Sequence, residues 1–307
     1  MPLSIKEDLK FFFSTIRKAF ILFQKNDPLR LAGATAFFTN FALPPILIIL
    51  IRLFGLFTDR RLFVTHLFER LANILDENSI AQIRLTLKNI RGINQAWYVT
   101  LFSFIFFLFV ATTLFNVIKN SLEQIWNIGN EGGKGILETL KSRAISVIII
   151  LLAGILFFIG LFADSVQAII GSFISKNSPS FELIMTSVIN QIFFVIIVTT
   201  WFTVLFRFLT NGRPTWKAAF SGGILTGCLF TVGKYLLRIL LPLSNIGNIY
   251  GSAGSIIVIM LFVFYSSLIF YFGASYIKAL SEQRETPIIP KNGAFAYELT
   301  QIEQQGK

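Results

Sequence analysis

The sequence predicts an all-α polytopic membrane protein with six transmembrane helices, an N-terminal amphipathic interfacial helix and a helical outer loop. Three observations carry that prediction. Of 307 residues, 54% are hydrophobic and only 14% charged, with a mean hydropathy of +0.69, whereas a soluble domain has about a quarter of its residues charged. Thirty-five residues are phenylalanine, more than a water-facing fold of this size hides without large apolar patches. Six stretches, near 31–57, 97–118, 144–163, 186–209, 217–241 and 251–277, reach the length of about 20 residues that a helix needs to cross the hydrocarbon.

Residues 1–30 are expected as a cytoplasmic amphipathic helix, 31–285 as the six-span membrane domain and 286–307 as a polar cytoplasmic tail. Within 4–25, Ile5, Leu9, Phe12, Phe13, Ile16, Phe20 and Phe23 recur at helical spacing beside Lys6, Lys10, Arg17, Lys18 and Lys25. Ser4 with Glu7 makes a capping-box start, and such a helix lies in the interface and favours anionic lipid. The segment has neither the uninterrupted apolar core nor the small-residue cleavage pattern of a signal peptide, so the first true span is expected to act as the insertion signal. Asp27 and Pro28 read as its N-cap and first helical residue.

Inside the first span, Pro44 and Pro45 fall near mid-membrane. Proline removes a backbone donor, so a bend or local unwinding is expected there, either as a structural kink or as a break in the wall of a binding site. The outer loop 58–96 reads as two short amphipathic helices parted at Asp76 to Ser79, with Leu62, Leu67, Leu71 and Ile74 on the first and Ile80, Ile83, Leu87 and Ile90 on the second. They are expected to pack over the outer mouth of the bundle.

The basic residues orient the chain. Segments 1–30, 119–143, 207–217 and 278–307 hold 17 lysines and arginines, and the alternate segments 58–96, 164–185 and 242–250 hold 7. Both termini are therefore expected in the cytoplasm, and topology accounts for the net charge of +11 without a nucleic-acid partner. Cys228 is the only cysteine, which excludes an intramolecular disulfide and a thiolate metal site.

The stretches "GRPTWKAAFSGGILTGCLFTVGKYLL" and "IYGSAGSIIVIMLFVFYSSLIFYFGASYIKAL" resemble the YihY/BrkB family of bacterial inner-membrane proteins, once labelled ribonuclease BN. The resemblance extends to the proline-bearing first span after "AGATAFFTNFALPP", the Asn-Trp segment "LFNVIKNSLEQIWNIG", a turn like Arg-x-Pro-x-x-Trp and the Tyr-Gly that opens the last span. It implies six spans and an inner-membrane location. Where the family pattern leads one to expect Gly-Ala-Glu, this chain has Gly273, Ala274 and Ser275, so a role for that acidic position does not carry over.

A nuclease is not expected: phosphodiester hydrolysis needs clustered carboxylates and histidines, and the chain holds one histidine, His66. No enzyme, metal or cofactor is expected. Three cations stand out instead. Lys234 lies 18 residues past Trp216, about 27 Å along a helix, near the outer edge of the hydrocarbon. Arg238 is one turn further out, and Arg52 reaches a similar depth in the first span. They either snorkel to the headgroups and pair with Asp59 and Asp164, or line an outward pocket for a phosphate-bearing amphiphile. Gly223 and Gly227 form a GxxxG face, and Gly251 and Gly254 open the last span, as helix-packing positions.

The function expected from these residues is binding and translocation of an anionic lipid or lipid-like amphiphile between leaflets, with Arg52, Lys234 and Arg238 on the phosphate. The Pro44-Pro45 break would open the wall and the outer-loop helices would form a lid. The alternative is a non-transporting membrane scaffold that organises envelope proteins through its glycine faces and its cytoplasmic amphipathic helix. Membrane lipids, chiefly anionic, are the expected partners, and a homo-oligomer is left open.

Overall fold

The computed structural model describes residues 5–55, 59–72, 77–91, 97–130, 179–243, 249–250, 253–291 and 293–298, with isolated positions between 144 and 155. The third expected span, 144–163, lies almost wholly outside them. In chain order the described elements are α1 (Ile5–Lys25), α2 (Pro28–Phe54), α3 (Arg60–Ala72), α4 (Glu77–Arg91), α5 (Trp97–Trp126), β1 (Ile128–Asn130), α6 (Pro179–Phe208), β2 (Gly212–Arg213), α7 (Trp216–Leu243), α8 (Gly254–Gln283), β3 (Ile289–Pro290) and β4 (Ala294–Ala296). Among the described residues four stretches are long and apolar enough to cross a membrane: Pro28–Arg52, Gln191–Phe208, Trp216–Leu240 and Gly254–Gln283. The second expected span falls within α5, which continues as helix to Trp126.

α8 is the centre of the bundle, with α1, α2 and α5 on one side and α7 on another, and α6 packs outside α7. Lipid supplies no hydrophobic drive for helix pairing, so close packing must. Phenylalanine fills the seam between α6, α7 and α8: Phe206 stacks on Phe270 with centroids 4.8 Å apart, and Phe230 meets both Phe202 and Phe262 edge to face. Such ring pairs contribute about 0.5–1.5 kcal/mol each beyond the area they bury.

α1 has three faces rather than two. Thr15 and Ala19 are fully buried against the last turns of α8, where Phe23 meets Phe272 at 5.7 Å and Phe12 meets Tyr276 at 6.4 Å. Leu9, Phe13 and Phe20 form an exposed apolar flank, and Lys10, Arg17, Lys18 and Lys25 are exposed on a third. Asp27, with φ of 50°, turns the chain into α2 and accepts from the Leu31 N–H at 3.2 Å.

α2 is helical without interruption from Pro28 to Phe54, with Pro44 and Pro45 inside it. The local unwinding expected at the pair does not occur. The two carbonyls deprived of donors are those of Asn40 and Phe41, and neighbouring helices hold the segment, Pro45 being buried. The outer-loop helices also depart from expectation in one position. Phe63, Leu67 and Phe68 are buried while Leu62 is 59% exposed, because α3 packs sideways on α2 and α4 and its buried face is rotated by one residue. Arg84 of α4 covers the Phe68 ring at 4.2 Å, and Ser79 donates to the Ser255 carbonyl at 3.2 Å, joining α4 to the start of α8.

The opposite end of the bundle is closed by strands. β1 pairs antiparallel with β4 and β2 with β3, so the first residues of the expected tail stitch together the chain after α5 and the turn between α6 and α7. Glu123 is the polar centre of this end. It pairs with Lys119 at 3.8 Å, with side-chain exposures of 9% for the lysine and 5% for the glutamate. Its carboxylate also accepts from Asn130 Nδ2 at 3.1 Å and from the Asn211 N–H at 2.9 Å. Gly129 makes room for the Phe295 ring, which lies 2.5 Å from where a Cβ would stand.

Candidate functional site

Two glycines bring α7 against α6. A Cβ on Gly223 would stand 2.1 Å from Thr203 Oγ1, and one on Gly227 2.6 Å from Thr199 Oγ1. Gly233 faces the other way, where the Tyr265 ring of α8 comes within 2.0 Å of its missing Cβ. With both sides of α7 held, Lys234 is directed at α6. Its Nζ lies 3.8 Å from the Phe194 ring centroid and 5.1 Å from that of Tyr235. The Tyr235 hydroxyl donates to Gln191 Oε1 at 2.8 Å, fixing the second ring. Lys234 is half-buried, and Arg238, one turn on, is exposed.

Among the described residues no carboxylate pairs with either cation. A ring face stabilises an ammonium by about 0.5–2 kcal/mol but leaves its charge uncompensated. The pair therefore presents net positive potential to whatever lies beside α6 and α7, which suits an oxyanion such as phosphate.

Register along α8 fixes the level of these groups. Gly222 meets Ile277, Gly273 meets Thr226 and Gly233 meets Tyr265, so α7 runs antiparallel to α8. Thr35 and Tyr271 hydroxyls lie 2.5 Å apart, and Arg30, earlier in α2, reaches Gln124 beside Trp126, which meets Ala274 and Lys278 later in α8, so α2 is antiparallel to α8 as well. Lys234, Arg238 and Arg52 thus all lie toward the end where α4 meets α8.

They do not form one pocket. α2 and α7 each pack on α8 without substantial contact with one another, and exposed Arg52 belongs to the α2 side. Nor does Asp59 serve as an ion partner for Arg52. Its Oδ1 accepts from the Arg61 and Leu62 N–H groups at 2.7 and 3.3 Å, capping α3. Asp164 and Gly251 lie outside the described residues, while Gly254 is buried at the start of α8. Ser275 is buried and donates to the Tyr271 carbonyl at 2.9 Å.

Sequence reasoning missed the buried Lys119–Glu123 pair. The signal was present: opposite charges four residues apart on one helix face, at the end of an apolar span. It also missed the ring faces under Lys234, because Phe194 comes from another helix and hydropathy does not distinguish a ring that faces lipid from one that faces a cation.

An all-helical bundle with four bilayer-length apolar helices and a phenylalanine-filled seam defines the class: this is an integral membrane protein. The chain belongs to the Virulence factor BrkB family, whose model matches residues 19–294, from the second half of α1 to the first residue of β4. No curated protein and no solved structure matches it.

Proposed function

We propose that the protein spans the bacterial inner membrane six times, with both termini and the strand end of the bundle in the cytoplasm. There it binds an anionic lipid or lipid-like amphiphile and moves it between leaflets. The excess of lysine and arginine in alternate segments supports the orientation. The exposed apolar flank of α1, beside its exposed lysines and arginine, supports its lying in the inner headgroup region. One observation carries the lipid reading: Lys234, backed by the Phe194 and Tyr235 rings, and Arg238 stand one turn apart with no carboxylate partner among the described residues. An intramembrane charge held in this way is costly unless a ligand uses it. The scaffold alternative loses one proposed surface, because Gly223 and Gly227 are occupied by Thr203 and Thr199 of the same chain.

The test is headgroup-selective lipid flux in proteoliposomes, wild type against the Lys234→Gln, Arg238→Gln double variant. Flux above protein-free vesicles that the variant loses supports the reading. Flux no greater than that of empty vesicles for every major bacterial lipid class removes transport, and mass spectrometry of co-purified lipids then reads binding alone.

A further inference from the structure

At the opposite end of the α6–α7 hairpin, two arginines bracket two rings and a lysine follows in the next residue. Arg207 closes α6, Arg213 lies in β2 and Lys217 belongs to the first turn of α7. The turn between is short and tightly held: Thr215 caps α7, its Oγ1 accepting from the Ala218 N–H at 3.3 Å and its carbonyl from the Ala219 N–H at 2.9 Å. Phe208 and Trp216 meet edge to face with centroids 5.7 Å apart. The guanidinium groups bracket that ring pair, Arg207 over Trp216 at 5.2 Å and Arg213 against Phe208 at 6.0 Å.

Arg207 also donates from Nη1 to the Pro214 carbonyl. Its Nε, however, is buried and finds no acceptor among the described residues. A buried donor left unpaired costs about 1–3 kcal/mol, more when charged, and a bound oxyanion removes that cost. As at Lys234, no described carboxylate pairs with Arg207, Arg213 or Lys217.

We propose that Arg207, Arg213 and Lys217 bind the phosphate of a lipid headgroup, with Trp216 anchoring the site at the membrane interface. Guanidinium forks match phosphate oxygens in pairs. Trp216 and Phe208 are exposed, at 55% and 38%, as rings at the headgroup level are. The surface leading away from the cluster favours a lipid over a free anion. From Lys217 an outward stripe of α7 runs through Phe220, Ile224, Cys228, Thr231 and Tyr235 to Arg238, apolar in its first part and exposed at every position but the partly buried Thr231. Twenty-one residues separate Lys217 from Arg238, about 31 Å of helix, which matches the roughly 30 Å hydrocarbon thickness. This site requires only that α6 and α7 cross the membrane; it does not require transport or the cations at the far end.

The experiment is native mass spectrometry of the full-length protein in detergent, titrated with phosphatidylglycerol or phosphatidylcholine. Arg213→Gln and Lys217→Gln are made singly, since both side chains are exposed, and melting curves check that each variant folds. The Lys234→Gln, Arg238→Gln variant reports on the far-end cations in parallel, and Lys88→Gln, exposed on α4 and in neither site, is the control. Each single variant is expected to weaken phosphatidylglycerol binding about tenfold, to leave phosphatidylcholine unchanged and to exceed any effect of the control. Folded variants that bind phosphatidylglycerol as wild type does overturn the site. Displacement of phosphatidylglycerol by millimolar inorganic phosphate overturns the lipid assignment in favour of a free anion. Loss in the Lys234→Gln, Arg238→Gln variant alone overturns this site while leaving the far-end cations in place.

Discussion

Lys278 and Trp126 tie α8 to α5 by a two-way clasp. The lysine Nζ donates to the Trp126 carbonyl at 3.0 Å, and the Trp126 indole N–H donates to the Ala274 carbonyl, one turn before Lys278, also at 3.0 Å. Trp126 is buried, so its N–H has no water to fall back on. Trp126→Phe keeps most of the ring but removes this second donor from the Ala274 carbonyl, which keeps its helical bond; the change is expected to cost about 0.5–1.5 kcal/mol and to lower the melting temperature in detergent. Lys278→Met keeps the packed stem and is expected to cost less. Equal, negligible shifts in both would mean that the clasp does not hold the helices together.

Glu123 gathers Lys119, Asn130 and Asn211 at the strand end. Glu123→Gln removes the charge opposite a buried lysine, and breaking such a pair from one side costs about 3–5 kcal/mol. The double change Lys119→Met, Glu123→Gln is expected to recover most of that loss. Chemical unfolding of the two variants checks the order; a double variant no more stable than the single one would show that the hydrogen bonds to Asn130 and Asn211, not the ion pair, carry the effect.

Two glycines predict opposite outcomes. Gly223→Ala drives a methyl to 2.1 Å from Thr203 Oγ1, and overpacking of this kind costs about 1–3 kcal/mol. Gly33→Ala meets nothing within 4 Å and is expected to be neutral or to stabilise by about 0.5–1 kcal/mol through helix propensity. Melting curves of both, with Thr203→Ala added to relieve the first, decide whether the α6–α7 contact limits stability.

The long helices were readable because hydropathy and length report a span directly: α2 and α7 begin and end within three residues of where the pattern placed them, while α6 starts seven residues earlier and α8 ends six residues later. The third face of α1 was not readable, since Thr15 and Ala19 carry almost no hydropathy signal and earn their burial only through α8. Leu62 and Phe63 are equally apolar, so periodicity alone could not choose which would turn inward. Pro44 and Pro45 gave a strong local signal that tertiary packing overrode. The strands were invisible, because two- and three-residue pairings show no alternation. At Lys234 the charge was legible, but one of the rings that hold it, Phe194, comes from another helix.

β3 and β4 follow every described helix in chain order, yet they complete structure begun far upstream. Until Lys291 has been synthesised, the Asn211 carbonyl lacks the backbone donor that reaches it at 2.7 Å. Until Phe295 arrives, the notch over Gly129 stays empty. A chain still on the ribosome, or cut short before this segment, therefore shows an unsealed face with Ile128 and Gly212 accessible, whatever the state of its helices in the bilayer. Arrival of this segment is thereby registered as a change in tertiary structure at the strand end.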